Sequence, residues 1–312
     1  MYKYYIGIDL GGTLIKIGVV RNGKVASIDY VDAESIKGLA AKLPILKIKI
    51  DEIIQNNLGN ELGGIGLSFP GIVDPLKKRV LSTNKKYDDA CDLDLNKWVA
   101  SEWGVQFIVD NDARYAVIGE WKYGAAKDTN DLVMMTIGTG IGTGVVIDGR
   151  PLIGSHFRAP LGGHFIIKYD GRDCTCGNKG CVEAHSSSYF LPQIIRELPT
   201  SESFKANADK IDFKTIFEMS RTGNKDSLLV QNHCIQIWAA GIINFIHAYD
   251  PEIIVLGGGI MKSKDIIIPA IKEIVDKYAW TNKEGIKIEA SKLGDDASIL
   301  GIYYCLSKSD SE

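Results

Sequence analysis

The stretch that decides the fold is His164–Glu183, which reads HFIIKYDGRDCTCGNKGCVE. It places Cys174, Cys176 and Cys181 close together among glycines, and His164 ends an apolar, strand-like run that leads into it. Three thiolates and one imidazole form a complete tetrahedral donor set, which is typical of a closed structural zinc site. The glycines let the chain turn the sulfurs inward without backbone strain. The stretch therefore predicts a zinc knuckle that orders a long loop.

An alternative interpretation is a set of loop cysteines that are free or disulfide-paired. Three closely spaced cysteines with a neighbouring histidine favour a metal, and an intracellular context disfavours disulfides. The other cysteines, Cys91, Cys234 and Cys305, are scattered along the chain and are expected to be reduced.

Length and composition exclude several classes of protein. The 312 residues suffice for two domains, each with its own core. A net charge of -3 gives no electrostatic case for binding nucleic acid or a membrane surface. No apolar run has the length of a membrane span, and the first residues lack the pattern of a secretory signal. We therefore expect a cytoplasmic protein.

The first glycine turn, Gly11-Gly12-Thr13, follows an apolar strand that carries Asp9. Its backbone amides could wrap a phosphate. A carboxylate beside such a turn is compatible with phosphate if a metal ion lies between them, and Lys16 on the next strand could add positive charge. The residues alone fit an ordinary glycine hairpin equally well. Further along, Asn22-Gly23 predicts a second hairpin.

The second glycine turn, Gly138-Thr139-Gly140, lies in TIGTGIGTG (residues 136–144) between two predicted strands. Its spacing fits neither the dinucleotide fingerprint nor a P-loop. A third cluster, Gly257-Gly258-Gly259, ends the strand PEIIVL and would let a flat base approach the backbone closely. Each cluster alone could be ordinary turn glycine. However, the arrangement of strand, glycine turn and strand occurs twice, and the third cluster follows both along the chain.

The back half of the chain is predicted to be mostly helical. The periodicity predicts two short helices within residues 186–222 and a long amphipathic helix over Asp226–Tyr249. Further helices are predicted over Ile266–Tyr278 and Ser298–Leu306. The polar tail, residues 307–312, is expected to fray.

Polar residues close a strand at Asp110-Asn111-Asp112, within FIVDNDARYAVIGEW, and a helix is predicted to begin at Ala113. On its own, Asn111 or Asp112 would be explained as a helix N-cap. The carboxyl end of such a strand is also where α/β proteins place their chemistry.

These motifs together resemble the ROK family, named for repressors, open reading frames and sugar kinases. The resemblance lies in Gly-His followed by Cys-x-Cys-Gly-x-x-Gly-Cys-x-Glu, and in Asp-Asn-Asp-Ala-Arg where the family has Glu-Asn-Asp-Ala-Asn. It implies that Asp112 is the catalytic base and that Asn111 contacts the sugar. It also implies that zinc-bound His164 faces the sugar and that Glu183 binds a sugar hydroxyl. Without this resemblance, Glu183 would be an acid in the first turn of a helix, where the dipole favours it.

Two more segments bear on the sugar. Phe69–Asp74 matches the family's Pro-Gly-x-Val-Asp turn, and Ser82-Thr83-Asn84 occupies the place of a sugar-facing asparagine. Asn84 is thus a candidate sugar ligand, although most such residues are simply turn formers. The chain departs from the family at Leu161, where a second sugar-binding glutamate is usual. Leucine accepts no hydrogen bond, so this departure leaves the substrate open.

The resemblance implies a two-domain actin-like ATPase fold, which is an α/β fold of the ribonuclease H-like type, with a zinc knuckle. The expected N-terminal domain covers residues 1–118, and a C-terminal helix at 298–312 returns to it. The larger domain covers residues 119–297 and contains the knuckle at 164–183. A homodimer is also implied.

The implied function is an ATP-dependent sugar kinase acting on a hexose or a hexose derivative, with the 6-hydroxyl as the expected acceptor. Its substrates would be the sugar and ATP with Mg²⁺. Two alternatives stay open: a non-catalytic sugar sensor related to the family's repressors, and a polyphosphate-dependent glucokinase. ROK repressors carry a winged-helix domain ahead of the first phosphate turn. Here Asp9 is eight residues from Met1, so no DNA-binding domain is expected.

Overall fold

The computed structural model describes residues 2–281 and 285–309. The last three residues of the predicted fraying tail, and of the predicted 298–312 helix, lie outside this part. The strands are β1 (Lys3–Leu10), β2 (Leu14–Arg21), β3 (Lys24–Asp32), β4 (Glu61–Phe69), β5 (Ile72–Asp74), β6 (Arg79–Ser82), β7 (Gln106–Asn111), β8 (Leu132–Ile137), β9 (Ile141–Ile147), β10 (Arg150–Pro151), β11 (Ile253–Gly257) and β12 (Lys287–Ala290). The helices are α1 (Leu43–Gln55), α2 (Leu95–Trp103), α3 (Asp112–Tyr123), α4 (Val182–Ser186), α5 (Leu191–Glu197), α6 (Glu202–Ala206), α7 (Phe213–Arg221), α8 (Lys225–Tyr249), α9 (Lys264–Tyr278) and α10 (Ala297–Ser309).

The chain forms two compact α/β units. The first unit consists of the residues up to Asp128, Pro151–Ala159 and the residues from Asp295 onward. The second unit consists of Thr129–Arg150 and Pro160–Gly294.

The first unit is built on a mixed five-stranded sheet in the order β3-β2-β1-β4-β7. Strands β1, β2 and β3 form an antiparallel meander, and β4 and β7 continue the sheet in parallel. The predicted hairpin at Asn22-Gly23 is confirmed, and both residues have positive φ, as such turns require. One core cluster covers this sheet with branched aliphatic side chains such as Ile6, Ile8 and Ile17.

Helix α10 lies against this sheet at a row of three glycines. Gly18, Gly7 and Gly66 pair side by side across β2, β1 and β4. A Cβ atom on Gly18 would lie 2.7 Å from Ile299, and one on Gly66 would lie 2.2 Å from Ile302. Any larger residue would therefore push the helix away, and the isoleucines fill the space that the glycines leave.

The second unit repeats the plan with the order β10-β9-β8-β11-β12. Strands β8 and β9 form an antiparallel hairpin, and β11 and β12 add in parallel. Helix α8 is buried along much of its length, and its Trp238 is fully buried. The Trp238 indole donates a hydrogen bond to the carbonyl of Ser186 at 3.0 Å, which satisfies its one polar atom.

Two local predictions were wrong. Residues 186–222 contain three helices after α4, namely α5, α6 and α7, instead of two, because Ser201 and Asp212 each cap a new helix start. The run before His164 is not a strand, since Gly162–His164 forms a single 3₁₀ turn. Within the described residues, no helix is both long and apolar enough to cross a membrane.

Candidate functional site

The β7–α3 junction holds the predicted base in place. Asn111, not Asp112, is the N-cap, and its side-chain oxygen accepts from the amides of Ala113 (3.0 Å) and Arg114 (3.2 Å). Its Nδ2 donates to the Gly71 carbonyl at 3.0 Å and to Oδ1 of Asp112 at 2.9 Å. The helix begins one residue earlier than predicted, so Asp112 is its first residue. Oδ1 of Asp112 also accepts from the Ala113 amide at 2.8 Å, so both side chains satisfy amides of the first turn.

The environment of Asp112 suits it to accept a proton. Its pKa is raised to about 6, chiefly by burial and then by the negative charge of Asp9. The positive charge of Lys86 opposes this rise. A carboxylate with a pKa near 6 is still largely ionised at neutral pH and is a stronger base than an ordinary aspartate.

Asp9 lies near the end of β1, close to the Ser68 hydroxyl and the Lys16 ammonium group. It accepts a hydrogen bond from Ser68 Oγ at 2.5 Å, and burial raises its pKa while Ser68 and Lys16 act against the rise. The predicted phosphate partner Lys16 is largely buried, and its Nζ lies 2.5 Å from the Asp295 carbonyl and 3.1 Å from Asp296 Oδ1. The charge of Lys16 is therefore already paired within the first unit.

The first glycine turn is fixed by two side chains distant in sequence. The Tyr87 hydroxyl donates to the Gly11 carbonyl at 2.7 Å, and Ser35 Oγ donates to the Gly12 carbonyl at 3.1 Å. A Cβ atom on Gly12 would lie 3.1 Å from both Cε and Nζ of Lys86. Sequence reasoning missed Lys86, although its place two residues after candidate Asn84 was a signal. Thr13 and Asn84 themselves are exposed.

Arg114 replaces the second asparagine of the family motif and is almost fully buried. It forms an ion pair with Asp110, and its Nε donates to Asp110 Oδ1 at 2.8 Å. The guanidinium also donates to the carbonyls of Val73 (3.1 Å), Phe157 (3.1 Å) and Ala159 (3.4 Å). Arg114 thus joins β5 and the 157–159 segment to the helix that carries Asp112.

The second glycine turn has a different setting. Gly138 has no atom within 4 Å of where a Cβ would be, so one side of the turn is open. Glu183 is buried, and its Oε2 accepts from the Ile141 amide at 2.8 Å. A Cβ on Gly140 would lie 2.5 Å from that same oxygen. One carboxylate oxygen of Glu183, the predicted sugar ligand, is therefore hydrogen-bonded to this turn.

The third glycine cluster lies beside the second glycine turn. Gly257 pairs with Thr136 in the parallel β8–β11 ladder, and Gly258 has a φ of 92°. A Cβ there would lie 2.2 Å from the Ile137 carbonyl, so only glycine fits. The structure brings these two predicted clusters to the same sheet edge.

The cysteine loop brings its four predicted ligands together. The donor atoms of His164, Cys174, Cys176 and Cys181 all lie within 4.8 Å of one another. Nδ1 of His164 is 3.6 Å from Cys174 Sγ, and the sulfurs of Cys176 and Cys181 are 3.7 Å apart. Bonds of about 2.0 to 2.3 Å to a central tetrahedral zinc place ligand atoms at roughly these separations. The four groups could therefore hold a metal ion, and no disulfide joins them.

Leu161 lies on a segment held on both sides. Thr143 Oγ1 donates to the Pro160 carbonyl at 3.1 Å and accepts from the Gly162 amide at 2.9 Å. A shift of the segment by one residue would break both bonds. Leu161 itself is 46% exposed, so its side chain is available to a ligand.

Known proteins match this chain along nearly its whole length. The ROK family matches residues 5–309. The glucokinase of Thermotoga maritima is 30% identical over 304 residues, which covers 95% of each chain. The xylose repressor of Bacillus spizizenii is 28% identical over 307 residues, which is 96% of this chain and 76% of the repressor.

A solved structure shows the same fold. The ROK family glucokinase of Streptomyces griseus, in complex with glucose and AMPPNP, superposes with a TM-score of 0.81 at 24% identity. The match covers 98% of this chain and 99% of that one. The actin-like ATPase type of α/β fold is thereby confirmed, and the chain belongs to the ROK family.

Proposed function

We propose that this protein is an ATP-dependent sugar kinase that transfers the γ-phosphoryl group to a hexose or hexose derivative. The observation that carries this proposal is Asp112, a carboxylate with a pKa near 6 held by Asn111 close to the charge of Asp9. A protein that only binds sugar has no need for a base of this kind.

Asp112 accepts the proton of the attacking hydroxyl, for which the primary 6-hydroxyl is the best candidate. The freed oxygen forms a bond to the γ-phosphorus, and the bond from that phosphorus to the bridging oxygen of ADP breaks. Asn111 keeps the carboxylate in place through its 2.9 Å hydrogen bond and has the polarity to contact the sugar.

Both glycine turns contribute backbone amides for the phosphates, and Gly257–Gly259 provides the flat surface for the base. Mg²⁺ bound with ATP would neutralise phosphate charge near Asp9. The Lys16 ammonium group is paired with Asp296, so its role in this proposal is at Asp9 rather than at a phosphate. There its positive charge favours the ionised carboxylate. Positioning and charge neutralisation are the main requirements of phosphoryl transfer, and these elements supply both.

The cysteine loop contributes to the sugar site in this proposal. His164, Cys174, Cys176 and Cys181 would hold a structural zinc ion, which would fix the loop. Glu183, Asn84 and His164 would then orient the sugar by hydrogen bonds. Support for the zinc comes from the mutual separations of the four donor atoms.

A second candidate is a sugar-binding regulator that transfers no phosphoryl group. The xylose repressor relative, matched over almost the whole of this chain, favours it. Leu161, at the position where the resemblance implies a second sugar-binding glutamate, also supports a sugar site that differs from that of the glucokinases.

A coupled assay with ATP and with polyphosphate, across glucose, mannose, allose and the N-acetyl hexosamines, distinguishes these functions. We expect turnover with ATP and at least one hexose. Turnover with polyphosphate alone would assign the other phosphate donor. Tight sugar binding in calorimetry without turnover from either donor would identify a regulator.

A further inference from the structure

The segment that contains Lys86 is anchored to the first glycine turn and to the residues beside it. The Tyr87 hydroxyl donates to the Gly11 carbonyl, and the Tyr87 amide donates to the Ser35 carbonyl at 2.8 Å. Ser35 in turn binds the Gly12 carbonyl. Asp89 then accepts from the Leu39 amide at 2.5 Å. Lys86 therefore projects from a well-fixed backbone.

The Lys86 side chain lies across the first glycine turn. Its Cε and Nζ are each 3.1 Å from where a Cβ of Gly12 would be, so the ammonium group is beside the turn itself. Its charge is also felt at Asp112. The Lys86 ammonium group is thus near both the first glycine turn and the proposed base, Asp112.

Lys86 differs from its neighbours in being available to an anion. Lys16, the other lysine near this turn, is paired with Asp296, whereas Lys86 forms no ion pair among the residues that the structure describes. Lys85 is exposed and has a φ of 56°, while Lys86 is half-buried. The two adjacent lysines therefore have different surroundings and provide a matched pair.

A cation beside this turn would add to the charge neutralisation that Mg²⁺ supplies. Asp9 and Asp112 are both acidic, and an arriving phosphoryl group adds negative charge, so repulsion must be offset. A lysine ammonium is a compact charge that binds phosphate oxygens. Placed where negative charge is transferred, it stabilises the transition state without having to reorganise.

We propose that Lys86 is a further catalytic residue whose ammonium group contacts the transferred phosphoryl group at the first glycine turn. The assignment rests on the proposed kinase function. It names a role for a side chain that the family motifs do not include.

The test compares Lys86→Gln with Lys85→Gln, which removes the same charge one residue away. With MgATP and the best hexose, we expect Lys86→Gln to lower kcat by about 10² or more and to leave the sugar KM near the wild-type value. Lys85→Gln should stay within about twofold of wild type, and Lys86→Arg should recover part of the loss. Equal effects of the two glutamine variants, or an unchanged Lys86→Gln, would overturn the proposal.

A pH profile separates this role from a merely structural one. The groups that face Asp112 are Asp9, which raises its pKa, and Lys86, which lowers it. Loss of Lys86 should therefore move the acidic limb of kcat/KM to higher pH, whereas Lys85→Gln should not move it. A Lys86→Gln limb at the wild-type position would contradict the proposed proximity.

Magnesium tripolyphosphate titrated by calorimetry tests Lys86 even if the kinase function fails. Suppose that wild type phosphorylates no sugar, and that tripolyphosphate binds more weakly to Lys86→Gln than to wild type or Lys85→Gln. The anion site then stands and the kinase function is wrong. If tripolyphosphate binds equally to all variants, or not at all to wild type, Lys86 is not a phosphate ligand.

Discussion

The two glycine turns have the same backbone plan and opposite surroundings. Each joins two antiparallel strands of a mixed five-stranded sheet. The first is surrounded by ionisable side chains, namely Asp9, Asp112 and Lys86, whereas the second has one carboxylate, Glu183, that is engaged by a backbone amide. This difference supports the proposal that the first turn carries the chemistry and that the second holds the phosphate donor.

The largest expected effect is that of Asp112→Asn at the first turn. The amide keeps the shape but cannot take the proton, so kcat should fall by roughly 10² or more while sugar binding persists. Steady-state kinetics and calorimetry measure the two quantities. A variant within a few-fold of wild type would leave Asp112 with only a structural role in the first turn of α3.

Loss of the proposed zinc tests whether the cysteine loop supports the second glycine turn. The wild-type chain should contain about one zinc, and Cys176→Ser should lose most of it, because a missing thiolate opens the tetrahedral site. Glu183 follows Cys181 by two residues, so KM for ATP should rise as well. The free, half-buried Cys91 gives the control Cys91→Ser, which should keep its zinc. Active wild-type protein without metal in elemental analysis would contradict the assignment.

The pH dependence sharpens the comparison at the first turn. Because the base must be ionised and its pKa is raised to about 6, kcat/KM should fall as the pH drops through about 6. One pH unit below that value, activity should be down by about tenfold. Asp112→Asn should lose this limb, and a limb that survives in the variant would belong to another group.

Gly140→Ala should perturb the second turn and leave the first intact. Its Cβ would meet Glu183 Oε2 at 2.5 Å and displace it from the Ile141 amide. Loss of that bond by a buried carboxylate should raise KM for ATP by about tenfold, with little change in the acidic limb. Gly138→Ala is the comparison variant, because it adds a methyl group to the same turn with nothing within 4 Å of its Cβ position and so leaves the Glu183 bond intact. Similar KM values for ATP in the two variants would mean that the Glu183 hydrogen bond does not affect donor binding.

The smallest effect is expected at Leu161, which lies outside both turns. Glucose should be a mediocre substrate, and Leu161→Glu should improve its kcat/KM by about fivefold through one restored hydrogen bond to a half-exposed site. A sugar with an apolar, missing or reoriented group at that hydroxyl should lose efficiency in the same variant. Glucose emerging as the best wild-type substrate, with no gain in the variant, would mean that Leu161 carries no specificity.

Local signals explain what could be predicted from the sequence. The Asn22-Gly23 hairpin, the two glycine turns and the spacing of Cys174, Cys176 and Cys181 each depend on residues close in the chain. The family resemblance added the fold and the roles proposed for Asp112 and Asn111.

Contacts between distant residues could not be predicted. Lys16 pairs with Asp296, 280 residues away, and Lys86 reaches Gly12 only because Tyr87 anchors its segment to the same turn. Likewise, the Glu183 carboxylate points toward Ile141 because of how the cysteine loop packs. Such partners depend on tertiary packing, and neither residue type nor spacing encodes them.

The glycine row beneath α10 has a consequence for the order of events during synthesis. Gly7, Gly18 and Gly66 leave a bare strip on the sheet, which Ile299 and Ile302 cover. When the first strands leave the ribosome, those isoleucines have not yet been translated. The second unit ends at Gly294 and can complete its own contacts earlier. We therefore expect nascent chains that stop before residue 295 to protect β8 and β11 from proteolysis while leaving β1 and β4 accessible.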